Sequence, residues 1–320
     1  MSSNIEPNRS VRPSRSPCRR FALNRGLGAV EVIVIMALVI FFVLCVLIVL
    51  PKGRETSRMA GCQKNLMQIG VALQLYEQAN RHYPSTGKLA NPTLGDSPVQ
   101  AMLNALTLPD FLDIRDASKP PKPTEAPGRG AKVAGLACPS DPQATSGAFL
   151  TALSYRGNAG DNTDGSNGPF SPGVVTPSMV EASDGLSFTA GFAERLVGTG
   201  RDGEPGPMNY AVVPGPVTGR PGGPAENQRW RGDAGSSWSG PGWRSALYSH
   251  AVAPNASTSS IAEDGATASM TASSPHPGRI NVWMLDGSLR GVTSTIDPSV
   301  WKAMGSIRSD SNSKPVEPTP

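Results

Sequence analysis

Nineteen consecutive residues, 32–50, carry no charge: VIVIMALVIFFVLCVLIVL. As a helix rising 1.5 Å per residue, the run extends roughly 28 Å, about the thickness of bilayer hydrocarbon. Six arginines precede it, at positions 9, 12, 15, 19, 20 and 25, while Lys52, Arg54 and Arg58 follow and are partly balanced by Glu55. This bias predicts a single-pass anchor with its N-terminus in the cytoplasm and the rest of the chain outside. A cleaved secretory signal fits less well. Its apolar region would be about 7–15 residues and end at a small-residue cleavage site, whereas this run is longer and stops at Pro51 among charges. The puzzling residue is Glu31, a carboxylate at the threshold of the apolar run, where lipid makes charge expensive.

The formal charge of +4 belongs to the leader. Residues 1–26 hold six arginines against Glu6, a net +5, and the remainder is close to neutral. A nucleic-acid surface needs basic residues concentrated on the folded part, so that class of partner is excluded. Thirty-five glycines and thirty-one prolines among 320 residues point to long loops.

Residues 52–80 place Met59, Cys62, Leu66, Ile69, Leu73 and Tyr76 at alternating steps of three and four, an apolar stripe that predicts a helix packed on a domain. It lasts under three heptads, too few for a coiled coil. Pro51 permits continuation with a mild kink. Residues 101–117 suggest a short helix interrupted at Pro109, and the Pro-rich 118–130 a loop. From 153 to 242, short apolar pieces alternate with Gly/Asn/Asp/Pro turns, the pattern of strands and long loops. Residues 279–294 predict a hairpin through Asp286-Gly287. A last helical turn is expected in DPSVWKAMGS, and the tail 309–320 reads as disordered.

No nucleophile elbow, zinc-protease helix, Walker A loop or dinucleotide fingerprint occurs. His82, His250 and His276 are far apart, and none has a second metal ligand at short spacing. The segment DNTDGSN at 161–167 lacks the calcium-loop register and reads as an Asx-rich turn. No catalytic, cofactor or metal site is expected. Cys62 and Cys138 are the only cysteines beyond the apolar run. Export permits a bridge between them, but spacing alone does not say that they meet.

The order of several short segments is more specific. The basic leader ending at Gly26, followed by an apolar helix with Glu31 as its fifth residue, resembles bacterial prepilins and pseudopilins. The resemblance implies cleavage after Gly26, a methylated mature N-terminus at Leu27, and an assembly role for Glu31, paired with the N-terminal amine of a neighbouring subunit. Gly28 departs from the usual junction. MAGCQKNLMQIGVALQLYEQANRHYPSTG, CPSDP, SYRGNAG and DGLSFTAGFAER, with His276 nine residues before Asp286-Gly287, are similar to the DUF1559 family of prepilin-like proteins of planctomycete-type bacteria. Its H-x9-DG element maps onto His276, Asp286 and Gly287 as a structural signature only. The resemblance also points to a Cys62–Cys138 link.

The expected fold class is α+β: a pilin-like long N-terminal helix, membrane-embedded in its first half, packed on a β-rich, loop-rich C-terminal domain. The expected divisions are a leader (1–26), a transmembrane half-helix (27–50), a soluble half-helix (51–80), an exported domain (81–308) and a tail (309–320). The expected role is non-enzymatic, without cofactor: a structural subunit of a pilus or type II secretion pseudopilus, or an envelope surface protein. It would sit in the bacterial inner membrane with its domain in the periplasm, or reach the cell surface or a filament after processing. The partners would be the lipid bilayer, prepilin peptidase and pilin or pseudopilin subunits. The alternative is an exported, membrane-tethered module binding an envelope glycan or polymer through Trp230, Trp238, Trp243 and Tyr248. Those residues could equally fill a small core.

Overall fold

The computed structural model describes residues 28–87, 89, 97–105, 132–218 and 228–307. Gly26, Leu27, the interruption at Pro109, the loop 118–130 and the tail lie outside the described residues. The chain divides after Lys52 into two compact units. Helix α1 (Ala29–Asn80) begins in the first unit and continues through Pro51.

In the first unit, most of the large apolar side chains between Val30 and Leu47 lie exposed, Phe41 at 67% and Phe42 at 69%. Among the described residues, Ala29–Leu47 is the one stretch of helix long and apolar enough to cross a membrane. So large an exposed apolar surface is costly in water, and it fits a membrane anchor or a signal sequence.

In the second unit, α1 turns its predicted stripe inward. Cys62, Leu66, Ile69 and Leu73 are fully buried, in one core with Phe170, Phe192 and Trp283. Removing a Leu or Ile side chain from water contributes about 1.5–3 kcal/mol. The helix lies very close to the sheet: a Cβ added at Gly70 would fall 2.1 Å from the Trp283 indole. Only a residue without a side chain fits there.

Two sheets complete this unit. The larger joins β1 (Tyr155–Asn158), β2 (Ala190–Glu194), β5 (Leu247–Tyr248), β8 (Arg279–Met284) and β9 (Leu289–Thr293) in the order β5-β1-β2-β8-β9. Its ladders are antiparallel except β1–β5. The smaller joins β3 (Tyr210–Val213), β4 (Arg229–Arg231), β6 (Ser260–Ala262) and β7 (Ala268–Ser269) in the order β4-β3-β6-β7. Short helices occupy the connections: α2 (Pro98–Ala105), α3 (Pro142–Ser146), α4 (Pro177–Glu181), α5 (Gly242–Ser245) and α6 (Pro298–Ala303). Helices and sheets together make a mixed α+β fold.

The C-terminal hairpin forms where the sequence predicts it. Trp283 pairs with Leu289 and Asn281 with Gly291. Asp286 Oδ1 accepts from the Ser288 N–H at 2.8 Å, and Gly287 supplies the left-handed φ of 91°. The final helical turn is α6, capped by Asp297. In the 161–167 turn, Asn162 Oδ1 accepts from the Gly165 and Ser166 N–H groups, as an Asx-rich turn requires. The aromatics offered above for a glycan face are buried, with Trp230 and Trp238 at 6%, Trp243 at 2% and Tyr248 at 0%. They form core rather than an exposed platform, because a Gly-rich chain has few other large side chains to fill its interior.

Candidate functional site

Polar groups gather where α1 meets β2 and the segment entering β8. Cys62, on the buried stripe of α1, is bonded to Cys138 with an S–S distance of 2.02 Å. Cys138 is held by its surroundings: Asp141 caps α3, accepting from the Gln143 and Ala144 N–H groups. The same carboxylate takes the Val197 N–H at 2.9 Å and the Ser154 hydroxyl at 3.1 Å. Burial outweighs these donors and leaves the Asp141 pKa above its ordinary value. From α1, Asn65 Nδ2 donates to the Ala137 carbonyl at 3.1 Å, next to Cys138.

His276 is the centre of the cluster. Its side chain is fully buried, with Nδ1 2.8 Å from Glu55 Oε1 and Nε2 3.5 Å from Glu194 Oε1. The second contact is an ion-pair distance but makes no hydrogen bond, so Nε2 is a buried nitrogen without a hydrogen-bond partner. Glu194 ends β2, and its carboxylate accepts from the Asn281 backbone N–H at 2.8 Å and the Asn281 amide at 3.0 Å. Gln63 of α1 donates to Asn281 Oδ1 at 3.1 Å, tying the helix to the same network. Burial pushes the His276 pKa down, but the carboxylates of Glu194 and then Glu55 push it up, and the net shift is upward.

One ligand atom from each of Cys62, Cys138, Glu194 and His276 lies within 4.8 Å of the others, and all four residues are buried. With the disulfide reduced, two thiolates, an imidazole and a carboxylate would make a donor set suited to zinc-like ions. Sequence spacing concealed the set, because it joins α1, the turn before α3, β2 and the approach to β8. The visible signal was the Glu194-Arg195 pair inside GFAER, a charged dipeptide at the end of an otherwise apolar strand. Arg195 is equally buried, and its Nη1 donates to the Pro207 carbonyl at 2.8 Å and the Ser273 hydroxyl at 3.0 Å, while its Nε has no hydrogen-bond partner. Desolvation lowers its pKa to about 10.

The other singled-out residues fall elsewhere. Asp286 and Gly287 form the hairpin turn at the far end of β8 from His276. His250 is buried, with Nε2 at 3.0 Å from the Tyr248 hydroxyl, Nδ1 at 2.6 Å from the Trp301 carbonyl, and its ring stacked on Trp301. Burial pushes its pKa down to about 3, opposed by the Trp301 carbonyl. His82 contacts the Tyr83 carbonyl at 2.8 Å. Glu31 lies in the first turn of α1 and accepts the Gly28 N–H at 3.1 Å, while Gly28 accepts the Val32 N–H. That is the side-chain half of a capping box.

An N-terminal apolar helix followed by a mixed α+β domain is consistent with a membrane-anchored or exported protein. The model of a family described as proteins of unknown function, DUF1559 (SBP_bac_10), matches residues 51–299. The chain belongs to that family. No curated protein and no solved structure matches it.

Proposed function

We propose that this chain is a non-enzymatic, prepilin- or pseudopilin-like subunit, anchored in a bacterial inner membrane by α1, with a periplasmic domain. The observation that carries the reading is Glu31. It stands fifth after Gly26, between a basic leader and an uncharged helix whose apolar side chains are exposed. Cleavage after Gly26 by prepilin peptidase leaves a new amine at Leu27, open to methylation. The carboxylate of Glu31 then pairs with the corresponding amine of a neighbouring subunit, relieving the cost of both charges in lipid. Gly28 already offers Glu31 a local N–H, so the intermolecular pair must compete with an existing cap. His276 and Asp286-Gly287 then serve as the H-x9-DG signature of a planctomycete-type branch, joining the helix network to the hairpin turn. The resulting filament would be a pilus or a type II secretion pseudopilus.

Crosslinking in membranes tests assembly. Glu31→Ala, inserted normally, is expected to lower the yield of crosslinked oligomers several-fold. An unchanged yield removes the pairing.

A second reading is a membrane-tethered binding module for an envelope glycan. It is favoured by a cleft of about 370 Å³ lined by Tyr210, Arg229, Arg231, Trp243, Arg244 and Glu263, among others. The arginines there are already engaged, Arg229 with Glu263 and both Arg231 and Arg244 with Asp233. An uncharged, hydroxyl-rich ligand suits the cleft better than an anion.

A further inference from the structure

The disulfide, His276 and Glu194 sit together in a way that a structural crosslink alone does not require. A disulfide needs no buried imidazole beside it, and a buried nitrogen without a hydrogen-bond partner costs about 1–3 kcal/mol. Yet His276 Nε2 stands in that position, 3.5 Å from a carboxylate oxygen of Glu194. Its other nitrogen is fixed by Glu55 at 2.8 Å. A carboxylate holding one nitrogen of a histidine is the arrangement that orients metal-binding histidines, and here the other nitrogen faces the Glu194 carboxylate at 3.5 Å without a hydrogen bond.

We propose that Cys62, Cys138, His276 and Glu194 form a redox-gated site for a zinc-like divalent cation. The disulfide is its closed form and the metal-bound dithiolate its open form. Opening takes two electrons from a dithiol. One thiolate of the dithiol attacks a sulfur of the Cys62–Cys138 bond to give a mixed disulfide. Its second thiol displaces the protein sulfur, leaving two cysteine thiols and a cyclic disulfide of the reductant. Metal binding then releases the two thiol protons and, where His276 is charged, the proton on its Nε2. The neutral imidazole offers its Nε2 lone pair, and Glu194 is the fourth ligand.

The size of the cluster suits this. Around a tetrahedral zinc with bonds of about 2.0–2.3 Å, ligand atoms lie roughly 3.3–3.8 Å apart, and the four atoms already lie within 4.8 Å of one another. The two sulfurs, 2.02 Å apart in the disulfide, must separate, and the widest of the other pairs must close by up to about 1 Å. Two thiolates with one imidazole and one carboxylate select zinc or cobalt over magnesium or calcium, which prefer all-oxygen shells. Glu55, with its side chain 37% exposed, marks the solvent edge of the site. In either state α1 is fastened to the loop carrying Cys138, by sulfur in oxidising surroundings and by the cation in reducing ones. The inference stands apart from the assembly reading, since all four ligands lie beyond the apolar run.

The test uses the full chain in detergent with Cys18→Ser and Cys45→Ser, which leaves Cys62 and Cys138 as the only cysteines. The chain is reduced with a dithiol, freed of reductant without oxygen, and titrated with Co²⁺ alone. The expected result is one equivalent of cobalt per chain with thiolate charge-transfer and tetrahedral d–d bands, displaced by Zn²⁺, and no binding to the oxidised chain. His276→Ala and Glu194→Gln should each weaken binding at least about tenfold, and Glu55→Gln, which removes only the orienting carboxylate, about 10–100-fold. Two free thiols with no stoichiometric cobalt binding would overturn the proposal, as would unchanged affinity in His276→Ala. If reduction unfolds the chain, one equivalent of Zn²⁺ must restore its near-UV circular dichroism. Failure to do so also overturns it.

Discussion

His276 and Glu55 are 221 residues apart in sequence and 2.8 Å apart in space, Nδ1 to Oε1. This contact joins the soluble part of α1 to the segment entering the C-terminal hairpin, as the Cys62–Cys138 bond joins it to the turn before α3. Breaking it leaves the buried Glu194 carboxylate beside an empty space. His276→Ala in the oxidised chain should therefore lower stability by about 1–3 kcal/mol, seen as an earlier denaturant midpoint with an unchanged slope. A midpoint within error of wild type would show that the imidazole carries no structural weight in the closed state.

The disulfide closes a long loop, its cysteines being 76 residues apart in sequence. Chain-entropy arguments give a loop of that size about 4 kcal/mol of stabilisation. Reducing the bond without metal should lower the unfolding free energy by about that amount, and restoring one equivalent of zinc should recover much of it. Loss without recovery would leave the sulfur bond as the sole crosslink.

Two glycines on α1 should respond oppositely to alanine. Gly70→Ala forces a methyl into the Trp283 indole, and overpacking of that kind costs about 1–3 kcal/mol. A Cβ at Gly53 meets nothing within 4 Å, so Gly53→Ala should raise stability by up to about 1 kcal/mol through helix propensity alone. Urea melts of the two variants separate the effects. Equal shifts would mean that α1 does not pack on β8 as described.

His250 supplies a pH dependence. Its folded pKa, about 3, lies below the unfolded value near 6.5. The unfolded chain therefore binds the extra proton between those limits, and stability is full above pH 6.5 and falls as the pH drops toward 3. The slope from this residue approaches about 1.4 kcal/mol per pH unit. Stability curves from pH 7 to 4 should be steeper for wild type than for His250→Gln by up to that amount, and parallel curves would contradict the assignment.

Much of this architecture was legible because periodicity reports burial directly. The step of three and four from Cys62 to Leu73 marked the inward face of α1, and Asp286-Gly287 marked the turn between β8 and β9. The candidate site was less legible. Its members come from four separated segments, and a carboxylate such as Glu55 looks like ordinary surface charge until His276 folds against it. Gly70 was equally silent, since a glycine within a helix reads as a weakness until Trp283 is seen lying on it. The tryptophans were ambiguous: clustered in a Gly-rich stretch they suited either a binding face or a small core, and the fold buries them.

The most direct measurement of the central claim is the intact mass and N-terminal sequence of the protein extracted from membranes. The account predicts a chain beginning at Leu27, heavier by one methyl group if the new amine is modified, with Glu31 as its fifth residue. A chain that retains residues 1–26 would contradict it and leave a plain signal anchor.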